Sequence, residues 1–91
     1  MDIQELRDMI DEIDNCLLEL FQQRMDVSVE IALYKMQNNM PVRDPAREKQ
    51  ILQSLSQKVA QERESAVIAL FSLLFELSRA EQAKILNTGV I

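Results

Sequence analysis

Apolar residues recur every third or fourth position over the first third of the chain, which is the spacing of an amphipathic helix. They are Ile3, Leu6, Ile10, Ile13, Leu17, Leu20, Phe21, Val27 and Ile31. Neither proline nor glycine interrupts this region, so we predict a single helix over residues 2–37. Such a helix would be ~50 Å long, whereas a compact domain of this size has a radius of gyration of about 12 Å. We therefore expect the helix to protrude or to pair with a second chain.

A second helix is predicted after a short extended linker. Two asparagines end the first helix, and residues 38–43 make up the linker. Asp44 can cap the next helix by accepting a backbone N–H, and Pro45 suits its first position, where no N–H partner is lost. We predict this helix over residues 44–60. Its buried face carries Ile51, Leu52, Leu55 and Val59.

The third predicted helix, residues 65–86, is apolar nearly all round. Residues 61–65 form a polar break before it, and Ser65 is a candidate N-cap. A helix without a polar face is normally buried, so we expect this one to lie inside an assembly. The sequence thus predicts an all-α fold with one domain over residues 1–91, built from three helices.

Charge and composition narrow the function. The chain of 91 residues has fifteen acidic and ten basic residues, a net charge of −5, which repels nucleic acid and anionic membrane surfaces. It has no histidine, so any chemistry runs without the commonest general base. One cysteine, Cys16, makes neither an internal disulfide nor a metal site by itself. We expect no metal and no cofactor.

The same features suggest where the protein resides. The first residues lack the basic and apolar regions of a secretory signal, and no uncharged apolar stretch reaches the length of a membrane span. A single cysteine is compatible with a reducing compartment. We therefore expect a cytoplasmic protein.

The most informative residues are charges that interrupt the apolar stripes, because a buried charge is costly unless it is paired or binds a ligand. Arg24 lies in the first stripe, between Leu20 and Val27. Lys35 follows with an angular offset of about 20° and a rise of ~16 Å, so both side chains project from one helix face. Two long cations that face one cavity suit a dianion.

Arg7 lies too far from Arg24 to share a ligand with it on one straight helix. The two positions are ~25 Å apart and differ by about 100° around the axis. If Arg7 belongs to the same site, it comes from a second chain.

Further polar candidates lie on the other two helices. Arg47 and Glu48 fall in the first turn of the second helix. Ser78 and Gln82 lie one turn apart on the third helix, on one face.

Several segments of the sequence, taken together, match the pattern of a known protein family. They are Leu6-Arg7, Gln23-Arg24-Met25, Val29-Glu30-Ile31-Ala32-Leu33-Tyr34-Lys35, Pro41-Val42-Arg43-Asp44-Pro45-Ala46-Arg47-Glu48, and Ser78 with Gln82. With their spacings and the three-helix layout, they resemble the all-α chorismate mutases over essentially the whole chain. The chain departs from that pattern mainly between Lys58 and Ser65, where the connection is short.

The resemblance implies an intertwined homodimer with two active sites. Each site would be completed by the partner subunit's Arg7, in agreement with the distance argument above. Arg24 and the partner subunit's Arg7 would bind the two carboxylates of chorismate. Arg47 would be a further cationic contact or support.

The resemblance also implies roles for the other candidates. Lys35 and Gln82 would donate hydrogen bonds to the ether oxygen of chorismate. Glu48 and the backbone near Asp44 would hold the ring hydroxyl, and Ser78 would lie beside the ring carboxylate.

The implied reaction is the rearrangement of chorismate to prephenate in phenylalanine and tyrosine biosynthesis. This pericyclic step needs no nucleophile, metal or obligatory proton transfer, so the absence of histidine is no objection. The enzyme must hold a chair-like conformer and stabilise charge on the ether oxygen. We expect Lys35 to be the most sensitive catalytic residue, with Gln82, Arg24 and Glu48 beside it. Because the amide of Gln82 donates hydrogen bonds at any ordinary pH, we predict an activity that changes little with pH around neutrality.

Simpler structural interpretations exist for each candidate. Arg24 could form a buried ion pair with Glu30, Glu48 or another acid across a helix interface, and Arg7 could pair with Glu5 or Asp11 on a solvated face.

The remaining candidates also have structural alternatives. Lys35 could complement the dipole at the end of its helix, and Arg47 and Glu48 could be surface residues of a first turn. Ser78 and Gln82 could form hydrogen bonds between helices. Asp44 is better interpreted as a cap than as a side-chain ligand.

Two other functional classes remain open from the sequence. One is an isochorismate pyruvate lyase of the same fold, which would release pyruvate. The other is a non-catalytic helical dimerisation or regulatory module, which would bind no dianion.

Overall fold

The computed structural model of the chain describes residues 1–88, with side chains described as far as Leu86. Within that range it has three α-helices, α1 (Ile3–Gln37), α2 (Pro45–Ser56) and α3 (Glu64–Thr88). A short 3-10 helix, Gln61–Arg63, precedes α3. The predicted all-α class is confirmed. The predicted domain extends to residue 91, and residues 89–91 lie outside the described range.

Both ends of α1 are fixed by local hydrogen bonds. At its start, the side chain of Asp2 accepts the backbone N–H of Glu5 at 2.8 Å, which satisfies one donor of the first turn. At its end, Asn39 adopts a left-handed backbone conformation with φ of 53°. The N–H of Met40 then reaches the carbonyl of Lys35 at 2.8 Å, and the N–H of Asn39 reaches that of Met36. Asparagine tolerates this conformation, so it stops the helix where glycine is usual.

The second helix is shorter than the predicted range of 44–60. Asp44 is its N-cap as expected, since its side chain accepts the backbone N–H of Arg47 at 3.1 Å. The helix ends at Ser56, because the N–H groups of Gln57 and Lys58 turn to carbonyls only three residues back. That tightening closes the last turn before Val59.

The start of the third helix also differs from the sequence interpretation. Ser65 is not a cap, because the 3-10 helix Gln61–Arg63 runs directly into α3 at Glu64. Ser65 therefore lies within the first turn of α3 and is exposed. Polar residues that looked like a break are helical in the structure.

The packing of the helices leaves most apolar side chains uncovered. Helix α3 packs along the C-terminal half of α1, and α2 packs on α3. The chain measures 54 × 28 × 14 Å and has a radius of gyration of 16.6 Å. A compact domain of this length would have a radius of gyration of about 12 Å. The N-terminal half of α1 therefore projects from the bundle, as its length predicted. No helix in the described part of the chain is both long and apolar enough to cross a membrane.

The buried residues are unusual in their polarity. Among the described residues, only five are buried, and three of those are polar. The five are Ser28, Ala32, Phe75, Ser78 and Gln82. Buried polar groups need partners or a ligand, so the centre of this bundle is where a functional site is expected.

Candidate active site

A cavity of about 510 Å³ lies where the three helices and the linker meet, a size typical of small-molecule sites. Its lining consists of Arg24, Val27, Ser28, Ile31, Lys35, Val42, Asp44, Arg47, Glu48, Ile51, Phe75, Ser78, Arg79 and Gln82. Seven of the eight site residues predicted from the sequence are in this lining, and Arg7 is the exception. The cavity thus brings together residues that are far apart along the chain.

Arg24 is held at the cavity by a polar network on α1 and α3. Its guanidinium donates a hydrogen bond to the hydroxyl of Ser78 and lies 5.8 Å from the centre of the Phe75 ring. Ser28 donates to the backbone carbonyl of Arg24 at 2.9 Å and lies 3.1 Å from the Ser78 hydroxyl. The guanidinium is therefore oriented before any ligand binds.

The alternative of an Arg24 ion pair with Glu30 or Glu48 does not hold. Within the described part of the chain Arg24 makes no ion pair. Its remaining N–H donors are thus available to an anion in the cavity. A planar guanidinium with free donors can bind a carboxylate in bidentate fashion.

Lys35 is positioned by the end of α1. After the turn at Asn39, the linker brings the backbone of Val42 within reach of the Lys35 side chain. The ammonium group of Lys35 then donates to the carbonyl of Val42 at 2.7 Å. An ammonium has three donors, so this bond fixes the side chain at the cavity wall and leaves further donors for a ligand.

Glu48 projects from the first turn of α2 and is paired with a residue that the sequence interpretation missed. Arg79 of α3 donates to it, with 2.5 Å between Nη1 and Oε2. Both side chains are mostly buried and both line the cavity. Arg79 precedes Gln82 by three positions and so shares its helix face, which is the signal that could have identified it.

Gln82 is the most deeply placed of the candidates on α3. Its side chain is 6% exposed, and its Oε1 atom is buried without a hydrogen-bond partner. Orphaned buried acceptors are rare and call for an explanation. Despite the short connection before α3, this side chain reaches the cavity.

Asp44 and Arg47 lie at the edge of the cavity. The carboxylate of Asp44 is used as the cap of α2, as the sequence suggested. Arg47 is exposed, and its guanidinium donates to Gln50 at 2.8 Å. Both residues are therefore placed to act at the rim of the cavity.

Arg7 is remote from this cavity within one chain. It lies on the exposed N-terminal half of α1, in a shallow groove with Ile3, Leu6, Ile10 and Asp11. The helix rise places it ~25 Å from Arg24. One chain by itself does not bring these two arginines together.

The charge of the cavity opposes that of the protein. Four cations and two carboxylates line it, a net charge of +2, although the whole chain carries −5. Such a local field favours a small dianion over a neutral ligand. In the described residues no group of three or more His, Cys, Asp and Glu side chains could hold a metal ion.

Comparison with known proteins identifies the family. The family model described as chorismate mutase type II matches residues 6–83, which include α2, most of α1 and α3, and every residue that lines the cavity. The chain belongs to this chorismate mutase family.

Individual members of the family show how the chain relates to whole proteins. A chorismate mutase of Methanocaldococcus jannaschii is 36% identical over 86 residues, which cover 91% of this chain and 86% of that protein. Two bifunctional chorismate mutase/prephenate dehydratases of Buchnera aphidicola are 34% and 37% identical. They match 94% and 89% of this chain but only 23% and 22% of their own lengths. No solved structure matches the chain significantly.

Proposed function

We propose that this chain rearranges chorismate to prephenate in the cavity between its helices, as an intertwined homodimer. The observation that carries the proposal is the cavity itself. In a member of the chorismate mutase family, it gathers Arg24, Lys35, Glu48 and Gln82 around a space with a net charge of +2. Chorismate is a dianion, and its product feeds phenylalanine and tyrosine biosynthesis.

Arg24 binds one carboxylate of the substrate in this proposal. Its guanidinium is already oriented by Ser78 and Phe75, so little side-chain freedom is lost on binding. The partner subunit's Arg7 binds the second carboxylate. Arg47 adds positive charge at the rim, and Ser78 lies beside the ring carboxylate. Held at both carboxylates, the flexible substrate is confined to the chair-like conformer that reacts.

Lys35 and Gln82 act on the ether oxygen, where negative charge develops as the carbon–oxygen bond breaks. The bond from Lys35 to the carbonyl of Val42 supports this role, because a donor held before reaction needs no reorganisation during it. Gln82 lies in the same cavity, buried from water. In a site shielded from solvent, both hydrogen bonds are stronger than in water.

Glu48 accepts the hydrogen bond of the ring hydroxyl in this proposal, together with the backbone near Asp44. Carboxylates accept hydroxyl hydrogen bonds strongly, and Glu48 is the acidic side chain that α2 contributes to the cavity lining. The contact anchors the ring in the cavity, in the ground state and in the transition state alike.

The uncovered stripe of α1 supports the dimer. Large apolar residues are exposed along its projecting half, namely Ile3, Leu6, Met9, Ile10, Ile13, Leu17, Leu18, Leu20 and Phe21. On α3, Leu70, Leu73 and Leu77 are exposed as well. Contiguous apolar surface of this kind marks an interface. A second copy of α1 packed against it would cover the stripe and carry an Arg7 toward the opposite cavity.

The variant Lys35→Ala tests this proposal, with Lys84→Ala as the matched control. Lys84 lies on the exposed face of α3 and outside the cavity. We expect purified wild-type protein and the control to consume chorismate at equal rates. The reaction is monitored at neutral pH through the loss of chorismate absorbance. Lys35→Ala should lose about 10²–10³-fold in kcat, the usual cost of one preorganised donor. Equal turnover by all three proteins would contradict the proposal.

A further inference from the structure

Arg79 is a cation of the cavity to which neither the family resemblance nor the proposed mechanism gives a task. It projects from α3, one helical turn before Gln82, and lines the cavity. Its Nη1 atom lies 2.5 Å from Oε2 of Glu48 on α2. The side chains of Arg79 and Glu48 are 28% and 23% exposed, so this pair is neither a solvated surface bridge nor a fully buried one.

The pair leaves half of the Glu48 carboxylate free. Arg79 binds Oε2, whereas Oε1 accepts no hydrogen bond from the described residues. A glutamate has three rotatable side-chain bonds, and it samples several rotamers when unpaired. With one oxygen bound, the other is held in one direction as an acceptor.

The pair also keeps Glu48 away from other cations. Arg24 and Arg47 line the same cavity, and each would attract an unpaired carboxylate in this partly desolvated space. An ion pair of Glu48 with Arg24 would consume the guanidinium that the substrate carboxylate needs. Among the described residues that pair is absent, and Glu48 is paired with Arg79 of α3 instead.

We infer that Arg79 is a positioning residue, which aims Glu48 at the substrate's ring hydroxyl and keeps Arg24 free for a carboxylate. This inference rests on the proposed function. Arg79 acts through Glu48 and needs no contact with the reacting atoms. The substitution Arg79→Lys retains a cation at this site and should therefore preserve much of the positioning of Glu48.

The kinetic constants of Arg79→Met test the inference. The ring hydroxyl forms no bond and breaks none in the rearrangement, so its contact is similar in the ground state and the transition state. We expect KM to rise about 10-fold while kcat changes less than about threefold. Arg79→Lys should bring KM back to within about threefold of wild type. Lys84→Met, on the exposed face of the same helix, should match wild type.

A double-mutant cycle separates positioning from direct binding. In a Glu48→Gln background, adding Arg79→Met should raise KM by less than about twofold, because the residue it orients is already changed. Thermal unfolding of each variant reports any loss of the α2–α3 connection. If Arg79→Met unfolds too readily to assay, Arg79→Gln serves the same purpose.

The outcomes distinguish this inference from the function on which it rests. Additive effects of the two substitutions would show direct substrate binding by Arg79 and overturn the inference. A fall in kcat and in the unfolding midpoint without rescue by lysine would show a structural role and overturn it as well. Wild-type protein that forms no prephenate would instead overturn the proposed function, and the inference with it.

Discussion

Replacing Gln82 by glutamate should make the activity depend on acid. Gln82 is 6% exposed and lines the cavity, and its amide donates hydrogen bonds at every ordinary pH. A glutamate of nearly the same size donates only from its protonated form. Gln82→Glu therefore exchanges a permanent donor for one that is present only in a fraction of the molecules.

That fraction sets the size of the effect. With an ordinary glutamate pKa of about 4.3, roughly one molecule in 500 is protonated at pH 7. Loss of one hydrogen-bond donor to a developing oxyanion lowers kcat by about 10²–10³-fold. The protonated fraction and this rate loss therefore predict an effect of similar size at pH 7. Since the protonated form is the active one, kcat/KM should rise about tenfold for each pH unit of acidification. Burial at position 82 disfavours the charged carboxylate and raises the pKa of the introduced glutamate, so recovery should begin at a higher pH than it would for an exposed glutamate.

The assay compares three proteins between pH 4.5 and 8.5. For each pH, kcat/KM of Gln82→Glu and of Gln82→Met is divided by the wild-type value, which removes titrations that all three share. We expect the glutamate ratio to climb as the pH falls and the methionine ratio to stay low and flat, because methionine never donates. A glutamate ratio that is independent of pH would refute the assignment of Gln82 as a hydrogen-bond donor in the reaction.

Three further predictions test the dimer and the fold. Arg7→Ala and Lys35→Ala should each be nearly inactive. When the two variants are unfolded and refolded together, about a quarter of wild-type activity should return, because the mixed dimer regains one intact site. No gain over the separate variants would show that both residues of a site come from one chain. Leu17 is 56% exposed in the single chain and belongs to the apolar stripe that the proposed dimer would cover. Leu17→Glu should therefore shift the dimer to monomer in sedimentation experiments, whereas the control Asn15→Glu should not. Asn39→Ala should lower the free energy of unfolding by about 1 kcal/mol in urea titrations, because alanine is strained at the φ of 53°; an unchanged midpoint would contradict the role of Asn39 in ending the helix.

Helical periodicity predicted the placement of candidate residues best where a single helix carries them. Arg24 and Lys35 lie on α1, and helical periodicity alone places them on one face. The structure confirms that both line one cavity. The same reasoning excluded Arg7 from this cavity within one chain, because the rise of a helix is fixed.

Interactions between helices were harder to predict. Arg79 was missed because its partner Glu48 lies 31 positions away on another helix, and no periodicity in either segment indicates that pairing. Ser28 was missed because a serine within an apolar stripe gives no charge signal, although it is 4% exposed and bonded to the polar network of Arg24. Such contacts follow from packing, which one-dimensional patterns do not contain.

The helix ends were the least predictable part of the fold. No proline or glycine lies between residues 57 and 65, so nothing in the sequence marks where α2 stops. The polar run that suggested a break instead forms the 3-10 helix Gln61–Arg63 and the first turn of α3. Polar residues favour solvent exposure, and in a helix at the surface that preference is satisfied without a loop.

If this cavity rearranges chorismate, the product that forms there must be prephenate. Wild-type protein is incubated with chorismate at neutral pH, and proton NMR follows substrate and products in one sample. We expect prephenate to appear at the rate at which chorismate disappears, with no pyruvate above the uncatalysed level. Pyruvate release, or a folded protein that forms no prephenate, would contradict it.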